Sequence, residues 1–528
     1  MSFYFNPVNR MTGLASGLDT KSIVEDLMKA ARMPLDRMLQ NQQLLKWQQE
    51  DYRAINITLN DLKANYAFPL ELQSTFLVKR AVSSDESAVT ATAGANASTG
   101  TYQVTVVALA QVGSLVSSDK LTSSTNTGFD PDAKMSDSDK SFGLTDPTSF
   151  TITTYKSDGS PDQNIVINVS PDQTLNQLLA DIYTKTSGRL TAFYEASTQK
   201  VVISTTKTGY YNENKFTFSD GADNFLSDKL KITPQDLYGQ DAELSINGLT
   251  DIRQHENTFI LNNVTFNLKK TTSPSSVLIS VQTDTDTIVQ KIKDFVEQYN
   301  AALDQINKKL SEPRYRDYLP LTEDQKKELS EDEIKKWEEK ARSGLLQNDP
   351  LLQDIVYDLR TAITGTVKDL NKNMDSLFDI GITEGYMLDD SGKIILGGYT
   401  EGGKLYINEK LLRDAVSRDP EGVMKLFTQT GATDDQKGIG VRFYEALNRA
   451  IDRLTREAGA PSSFSLVDNS FLSTSIREMQ DRIDRENERL ALLESRYWEQ
   501  FTLMEQYIAQ MNSQSIWLAQ QFNMYGGR

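Results

Sequence analysis

The chain has no cysteine in 528 residues. That excludes disulfides, thiolate metal sites and cysteine nucleophiles together. It has one histidine, His255, so any Ser-His-Asp mechanism or histidine zinc site would have to pass through that side chain. His255 sits in RQHENTF between two β-type runs, with no HExxH or GxSxG arrangement beside it, and reads as a surface or turn residue. Basic charge is also short. The formal net charge of -17 argues against nucleic acid and anionic membrane as partners, because either needs a clustered basic surface. No run approaches the roughly 20 apolar residues of a membrane span, so no membrane insertion is expected. The opening MSFYFNPVNRMTGLASGLDT has no basic stretch followed by an apolar one, so export, if it occurs, is expected without a cleaved signal.

Other chemistry is equally thin. Asp284 with Asp286, and Asp137 with Asp139, lack the glycine and terminal glutamate of a calcium loop and read as caps. Gly397-Gly398 and Gly402-Gly403 have no following GK[ST] and read as a hairpin turn before a strand at Lys404 to Ile407. No catalytic, cofactor-binding or metal residue is assigned, and no cofactor is expected.

The pattern that is present lies at the two ends. Val24, Leu27, Ala31, Met38, Leu45, Tyr52, Ile55, Leu59, Leu62 and Tyr66 recur at helical spacing, as do Ile476, Met479, Ile483, Leu490, Leu493, Tyr497, Met504 and Met511. Seams this narrow belong to helices that pair lengthwise. Pro34 predicts a break, with one helix ending near Arg32 and a second running from Pro34 to about Tyr66; this break reads as a joint. Beyond the seams the ends are nearly uncharged. Leu14, Leu18, Ile516, Trp517, Leu518, Phe522 and Tyr525 stand among Ser, Gln and Asn, a mixture suited to self-association.

Between the ends the period falls to two. Strands are expected from Lys79, at Tyr102 to Val106, Phe150 to Tyr155, Ile165 to Val169, Leu190 to Tyr194, Val201 to Thr205 and Phe216 to Phe218, and again within Ala242 to Ser280. Asn247-Gly248 and Asn262-Asn263 mark turns. Thr174 caps a short helix carrying Leu175, Leu178, Leu179 and Ile182. Segment 117 to 148 is rich in Ser, Asp, Thr and Gly and reads as a connection or edge outside any core. Helical period returns at Asp286, a plausible cap, with Ile288, Ile292, Phe295, Tyr299, Leu303, Ile306 and Leu310 in one stripe. Thr322 to Lys340 reads as a charged, solvated helix. The expected fold is α+β and multidomain: paired N- and C-terminal helices form a coiled-coil leg and a helical domain, with antiparallel β-rich domains inserted. The expected parts are 1–46 with 470–528 (leg), 47–76 with 285–469 (helical rod), 77–118 with 240–284 (inner β) and 119–239 (outer β).

MTGLASGLDTKSIVEDLM at 11 to 28, the Met33-Pro34-Leu35 break, GTYQVTVVALAQ at 100 to 111, INGLTDIRQHENTF at 246 to 259 and FVEQYNAAL at 295 to 303 resemble the flagellar filament cap family, also called hook-associated protein 2. The block at 311 to 350, GGKLYINEKLLRDAV at 402 to 416 and RYWEQFTLMEQYIAQMNSQSIWL at 496 to 518 extend the resemblance over almost the whole chain, with the 311 to 350 block in the form of Gram-positive bacilli. The resemblance implies a non-enzymatic structural protein at the flagellum tip, exported through the flagellar type III channel, which promotes flagellin polymerisation. It implies a homo-oligomer, with five subunits expected, and contacts with flagellin and hook-filament junction proteins. An export chaperone is expected on the C-terminal helix. Filament and self-assembly contacts are expected from Leu14, Leu18, Ile23, Leu27, Met511, Ile516, Trp517 and Phe522, with Pro34 as the leg joint. The alternatives are another flagellar axial protein, or a surface adhesin acting through the outer domain.

Overall fold

The structure, a computed structural model, describes residues 15–395, 402–461 and 468–525, with side chains to residue 521 in the last stretch. Two compact units emerge: residues 1–76 with 285–528, and residues 77–284. The chain enters the first unit through α1 (Thr20–Asp61), capped by the Asp19 carboxylate, which accepts from the Ser22 amide at 3.1 Å. The expected break at Pro34 does not occur, and the helix runs straight through it. Proline at that position removes one backbone bond at a cost of about 3 kcal/mol. The helix survives because its apolar stripe is packed on both sides of the proline, and such burial contributes about 1.5–3 kcal/mol per side chain. One π-type turn, Leu62–Ala67, leads into α2 (Phe68–Glu71) and α3 (Gln73–Phe76).

The second unit holds two separate apolar cores. Its strands are β1 (Lys79–Ser83), β2 (Val89–Ala93), β3 (Gly100–Ala108), β4 (Val112–Val116), β5 (Thr148–Tyr155), β6 (Pro161–Val169), β7 (Leu190–Glu195), β8 (Lys200–Thr208), β9 (Phe216–Asp220), β10 (Asp236–Leu237), β11 (Ala242–Ile246), β12 (Leu249–Gln254), β13 (Thr258–Leu261), β14 (Val264–Leu268) and β15 (Val277–Thr283). The first core lies between a five-stranded sheet, ordered β1-β15-β3-β11-β12, and a three-stranded one, β13-β14-β2. Tyr102, Val104 and Val106 point into it from alternate positions of β3, as period two requires. Asn247-Gly248 and Asn262-Asn263 all take positive φ and close the β11-β12 and β13-β14 hairpins, the geometry that two-residue hairpin loops need.

The second core is built from β10-β9-β5-β6 and β4-β8-β7 with helix α4 (Leu175–Lys185), whose Thr174 and Gln177 form a capping box. Two expectations change here. Segment 117 to 148 contributes Leu121, Met135 and Phe142 to this core. Its polar composition hid them because they are three isolated apolar residues on irregular backbone, with no period to reveal them. Leu115 of β4 also belongs to this core while Ala110 belongs to the first. The change of core therefore falls before residue 118, where β4 pairs with β8.

The chain returns to the first unit with α5 (Thr285–Ser311). Asp286 lies in its first turn instead of capping it, which still places a carboxylate at the positive helix end. The charged stretch is two helices, α6 (Glu323–Lys327) and α7 (Glu331–Arg342), each opened by its own capping box, Thr322 with Gln325 and Ser330 with Glu333. Then follow α8 (Pro350–Thr364), the ladder of β16 (Ile382–Glu384) with β17 (Leu405–Ile407), α9 (Glu409–Arg418), α10 (Pro420–Thr428), α11 (Ile439–Ala458) and the 55-residue α12 (Phe471–Tyr525). Gly397 and Gly398 lie outside the described residues, while Gly402 and Gly403 both have positive φ just before β17. The upper half of α1 is enclosed by α5, α11 and the π-type turn. Ile55, Leu59, Tyr299, Phe443 and Leu454 are buried there. No helix among the described residues is long and apolar enough to cross a membrane.

Candidate assembly surface at the helix ends

The lower half of α1 has one long partner, α12, and they run antiparallel: Gln42 Nε2 donates to Gln480 Oε1 at 2.9 Å, while Ala15 meets Glu505. Their shared core is Val24, Met28 and Leu35 against Ile483 and Leu490, flanked by Ala31, Met38, Met479, Leu493, Tyr497, Trp498 and Phe501. The residues of α1 in this set are spaced alternately by four and three, which holds one stripe on the partner. Leu27, expected on the stripe, is 40 % exposed, and Met28 takes that place. The buried Gln42 and its partner Gln480 put a polar pair in the stripe. Such a pair penalises any slipped register that would leave the amide unpaired.

Glu505 fastens the lower end. It is 3 % exposed and accepts from the Ser16 hydroxyl, the Ala15 amide at 3.0 Å and the Ser16 amide at 3.2 Å. These bonds, the Ser16 hydroxyl foremost, hold its carboxyl below the usual glutamate range. Asn512 Nδ2 donates to the Ala15 carbonyl at 3.0 Å. Sequence reasoning missed this residue, although it left a signal: Glu505 is the only charged residue between Phe501 and Arg528.

Past Asn512, α12 continues without a partner among the described residues, and residues 511–521 are all exposed. A 13-residue stretch is about 20 Å of bare helix. Leu503, Tyr507, Met511 and Leu518 are all exposed and, at spacings of four, four and seven, share the face turned away from α1. Ile516 continues the face on which Glu505 and Asn512 meet the N-terminal segment. Trp517, 58 % exposed, falls on a third side. The tail is therefore apolar on several sides with no charge among them.

The structure brings Met511, Ile516 and Trp517 to this bare end and places Leu18 beside the cap of α1, exposed. Ile23 is half-buried and Leu27 faces out. Leu14 and the side chain of Phe522 lie outside the described residues. Pro34 is exposed on α1, flanking the stripe between Ala31 and Met38.

His255 is engaged by its neighbours. Its Nδ1 is 2.8 Å from Asp241 Oδ1, and its ring lies against Tyr211 with centroids 4.8 Å apart. Asp241 also accepts from the Tyr210 amide, so the pair ties backbone segments together. Among the described residues no group of three or more His, Cys, Asp or Glu is placed to hold a metal ion.

Comparisons with known proteins agree along the chain. Residues 16–112 match the family model of the flagellar hook-associated protein 2 N-terminus, and residues 239–513 match that of its C-terminus. The stretch between the two models is the one that builds the second β core. Flagellar hook-associated protein 2 of Halalkalibacterium halodurans is 31 % identical, covering 97 % of this chain and 99 % of the relative. That of Thermotoga maritima is 26 % identical over 96 % of this chain and 95 % of its own. The crystal structure of the flagellar cap protein FliD D1-D2-D3 domains from Escherichia coli covers 81 % of this chain and 99 % of that one, with a TM-score of 0.52 at 20 % identity, a likeness of fold. Paired end helices around inserted antiparallel sheets, two family models and a relative aligned end to end lead to one conclusion: the chain belongs to the flagellar hook-associated protein 2 family.

Proposed function

We infer that the chain caps the distal end of the bacterial flagellar filament, where it promotes polymerisation of flagellin and prevents its loss to the medium. Beyond the family itself, one observation supports this reading: about 20 Å of uncharged helix at the end of α12 with no partner among the described residues. A surface that must bind, release and rebind subunits avoids buried unpaired ions, and aromatic and aliphatic anchors supply the attraction. Met511, Ile516, Trp517, Leu18, Leu27 and Ile23 are the contacts proposed, to flagellin and to neighbouring copies in a homo-oligomer of five. Leu14 and Phe522 extend the set.

The finer parts of this reading follow the same logic. The tail of α12 is also the surface an export chaperone would cover, since an uncharged apolar helix needs shielding before assembly. Hook-filament junction proteins would be met by the same ends. Passage unfolded through an export channel suits a chain without cysteines, which no premature disulfide can trap. The four-part division into leg, rod, inner β and outer β domains is proposed with the last boundary moved ahead of β4. No catalytic step belongs to this function.

The experiment is deletion of the gene in its motile host, with assay of filaments and of free flagellin in the medium. Bald cells that shed unpolymerised flagellin are expected. Complementation with a chain ending at Asn512 should restore neither filaments nor retention. Normal filaments in the deletion strain would overturn the reading.

A further inference from the structure

We infer that the seam between the two β cores of the second unit is a fixed joint and not a hinge, set by backbone contacts that only glycine permits and clamped by the connection that carries His255. The chain crosses the seam twice, between β3 and β4 and between β10 and β11. Two single-chain crossings would ordinarily let one core swing on the other. Here the crossings are bonded to each other. Glu243 faces Ala108 where β11 pairs with β3. Beyond that ladder Gln111 and Gln240 form an antiparallel bridge, each amide donating to the other's carbonyl at 2.9 Å. The two strands therefore pass through the seam as a pair.

A third segment closes the joint. The end of β8 and the residues after it, from the second core, meet the connection between β12 and β13, from the first. Thr208 Oγ1 donates to the His255 carbonyl at 2.7 Å. The Tyr210 amide donates to Asp241 Oδ1 at 2.6 Å, and that same oxygen lies 2.8 Å from His255 Nδ1. The connection also reaches the first crossing: the Asn257 side chain accepts from the Ala110 amide at 2.8 Å and donates to the Ala110 carbonyl at 2.9 Å. Asn214, 4 % exposed, steadies the end of β8 by donating to the carbonyls of Lys207 and Gly209 at 3.0 Å. A swing of one core on the other would break the cross-seam bonds together, and the buried Ala110 would lose both of its bonds to Asn257.

The seam also leaves no room for slip. A β-carbon on Gly239 would stand 2.5 Å from the Gln111 carbonyl oxygen and 2.7 Å from the Gly209 amide nitrogen, and one on Gly209 would stand 2.6 Å from the His255 carbonyl oxygen. All three distances are well inside the contact distance of non-bonded atoms. Gly239 is not among the glycines of positive φ, so closeness and not backbone conformation requires glycine there. Interiors packed to contact transmit strain instead of absorbing it. On the cap reading, a load on the second core would pass to the first as through one solid body.

The test is a pulsed spin-label distance measurement on the full chain, a readout that does not depend on capping. The chain has no native cysteine, so labels attach only where they are placed. Thr250→Cys on β12 with Thr184→Cys on α4 spans the seam, while Thr184→Cys with Asp162→Cys on β6 stays within the second core; all three sites are exposed. The distance distribution across the seam should be a single peak as narrow as the one within the core. Gly239→Val should at least double the width across the seam and leave the width within the core unchanged. A milder variant, His255→Ala with Asn257→Ala, should broaden the cross-seam peak by a smaller factor. A wider or split distribution across the seam with the seam residues intact would overturn the inference, and that result needs no seam variant to fold. An unchanged cross-seam width in both seam variants would overturn it equally, since these contacts would then not hold the cores.

Discussion

Residues 47–61 and residues 20–43 belong to one helix, yet their surroundings differ. The upper stretch is walled in by α5 and α11. Its side chains also satisfy other elements: Arg53 Nε donates to the Ala458 carbonyl and Arg53 pairs with Asp468 at 2.6 Å, Tyr52 donates to Asp349 at 2.6 Å, and Asn56 donates to Thr455 at 3.0 Å. The lower stretch has α12 along one side and the segment 313–343 only at Gln40. The lower stretch also carries Pro34, which removes one backbone bond, and it has less of the tertiary burial that is the usual source of helix stability in proteins. Local unfolding is correspondingly expected from the lower end upward.

Four measurements would break or sharpen that contrast. Leu59→Ala empties a fully buried site in the upper half and should cost about 2–5 kcal/mol, seen as a fall in the midpoint of denaturant unfolding of the whole first unit. If the midpoint stays put, the upper half is no more a core than the lower. Pro34→Ala restores a backbone bond and should stabilise the lower half locally by up to about 3 kcal/mol, visible as slower exchange at residues 28–38 without a change in that midpoint. In cells the stiffer leg should slow filament growth, and unchanged filament length would remove any role for the proline in bending. Trp517→Ala should weaken assembly by about 1–3 kcal/mol, measured as a rise in the concentration at which oligomers form. An unaltered concentration would place oligomer contacts elsewhere.

The smallest effect is expected at Glu505. Its carboxyl is held below the usual range in the folded chain, so the contact contributes fully above the unfolded value of about 4.3 and is lost as pH falls through the lower folded value. Protection at residues 15–18, after correction for the intrinsic pH dependence of amide exchange, should fall only on that acid side and be flat through neutrality. Glu505→Gln should show low protection there at all pH values. A pH-independent wild type would mean that the segment is held by Asn512 alone.

Much of this was readable in advance wherever a period or a cap repeats. The strands with alternate apolar residues, the Thr174 capping box and the Asn-Gly and Asn-Asn hairpins follow from local chemistry and appear where local chemistry places them. The paired terminal helices follow from their stripes. The misreadings share a cause. Pro34 is a break by local rules, and packing of the stripe before and after it overrules them. Leu121, Met135 and Phe142 sit in an irregular segment, where no period marks an inward residue. Leu27 and Met28 are adjacent on a helix, so their order toward the partner depends on a helical phase that one position can shift.

Of the candidate site, the uncharged tails with Met511, Ile516 and Trp517 stood out by composition. The Glu505 fastening did not, because its partners lie about 490 residues away along the chain. The sequence by itself determined which segments are helix or strand, that the ends pair, and that the last turns of α12 carry no charge, since each depends on neighbours within a few residues. Only the tertiary structure decided that α1 passes unbroken through Pro34, that Glu505 fastens the N-terminal segment, and that Pro320 and Arg342 return to Gln40 and Asp51. Each of those rests on contacts between distant segments, whose energies are set by burial and geometry that no local pattern encodes.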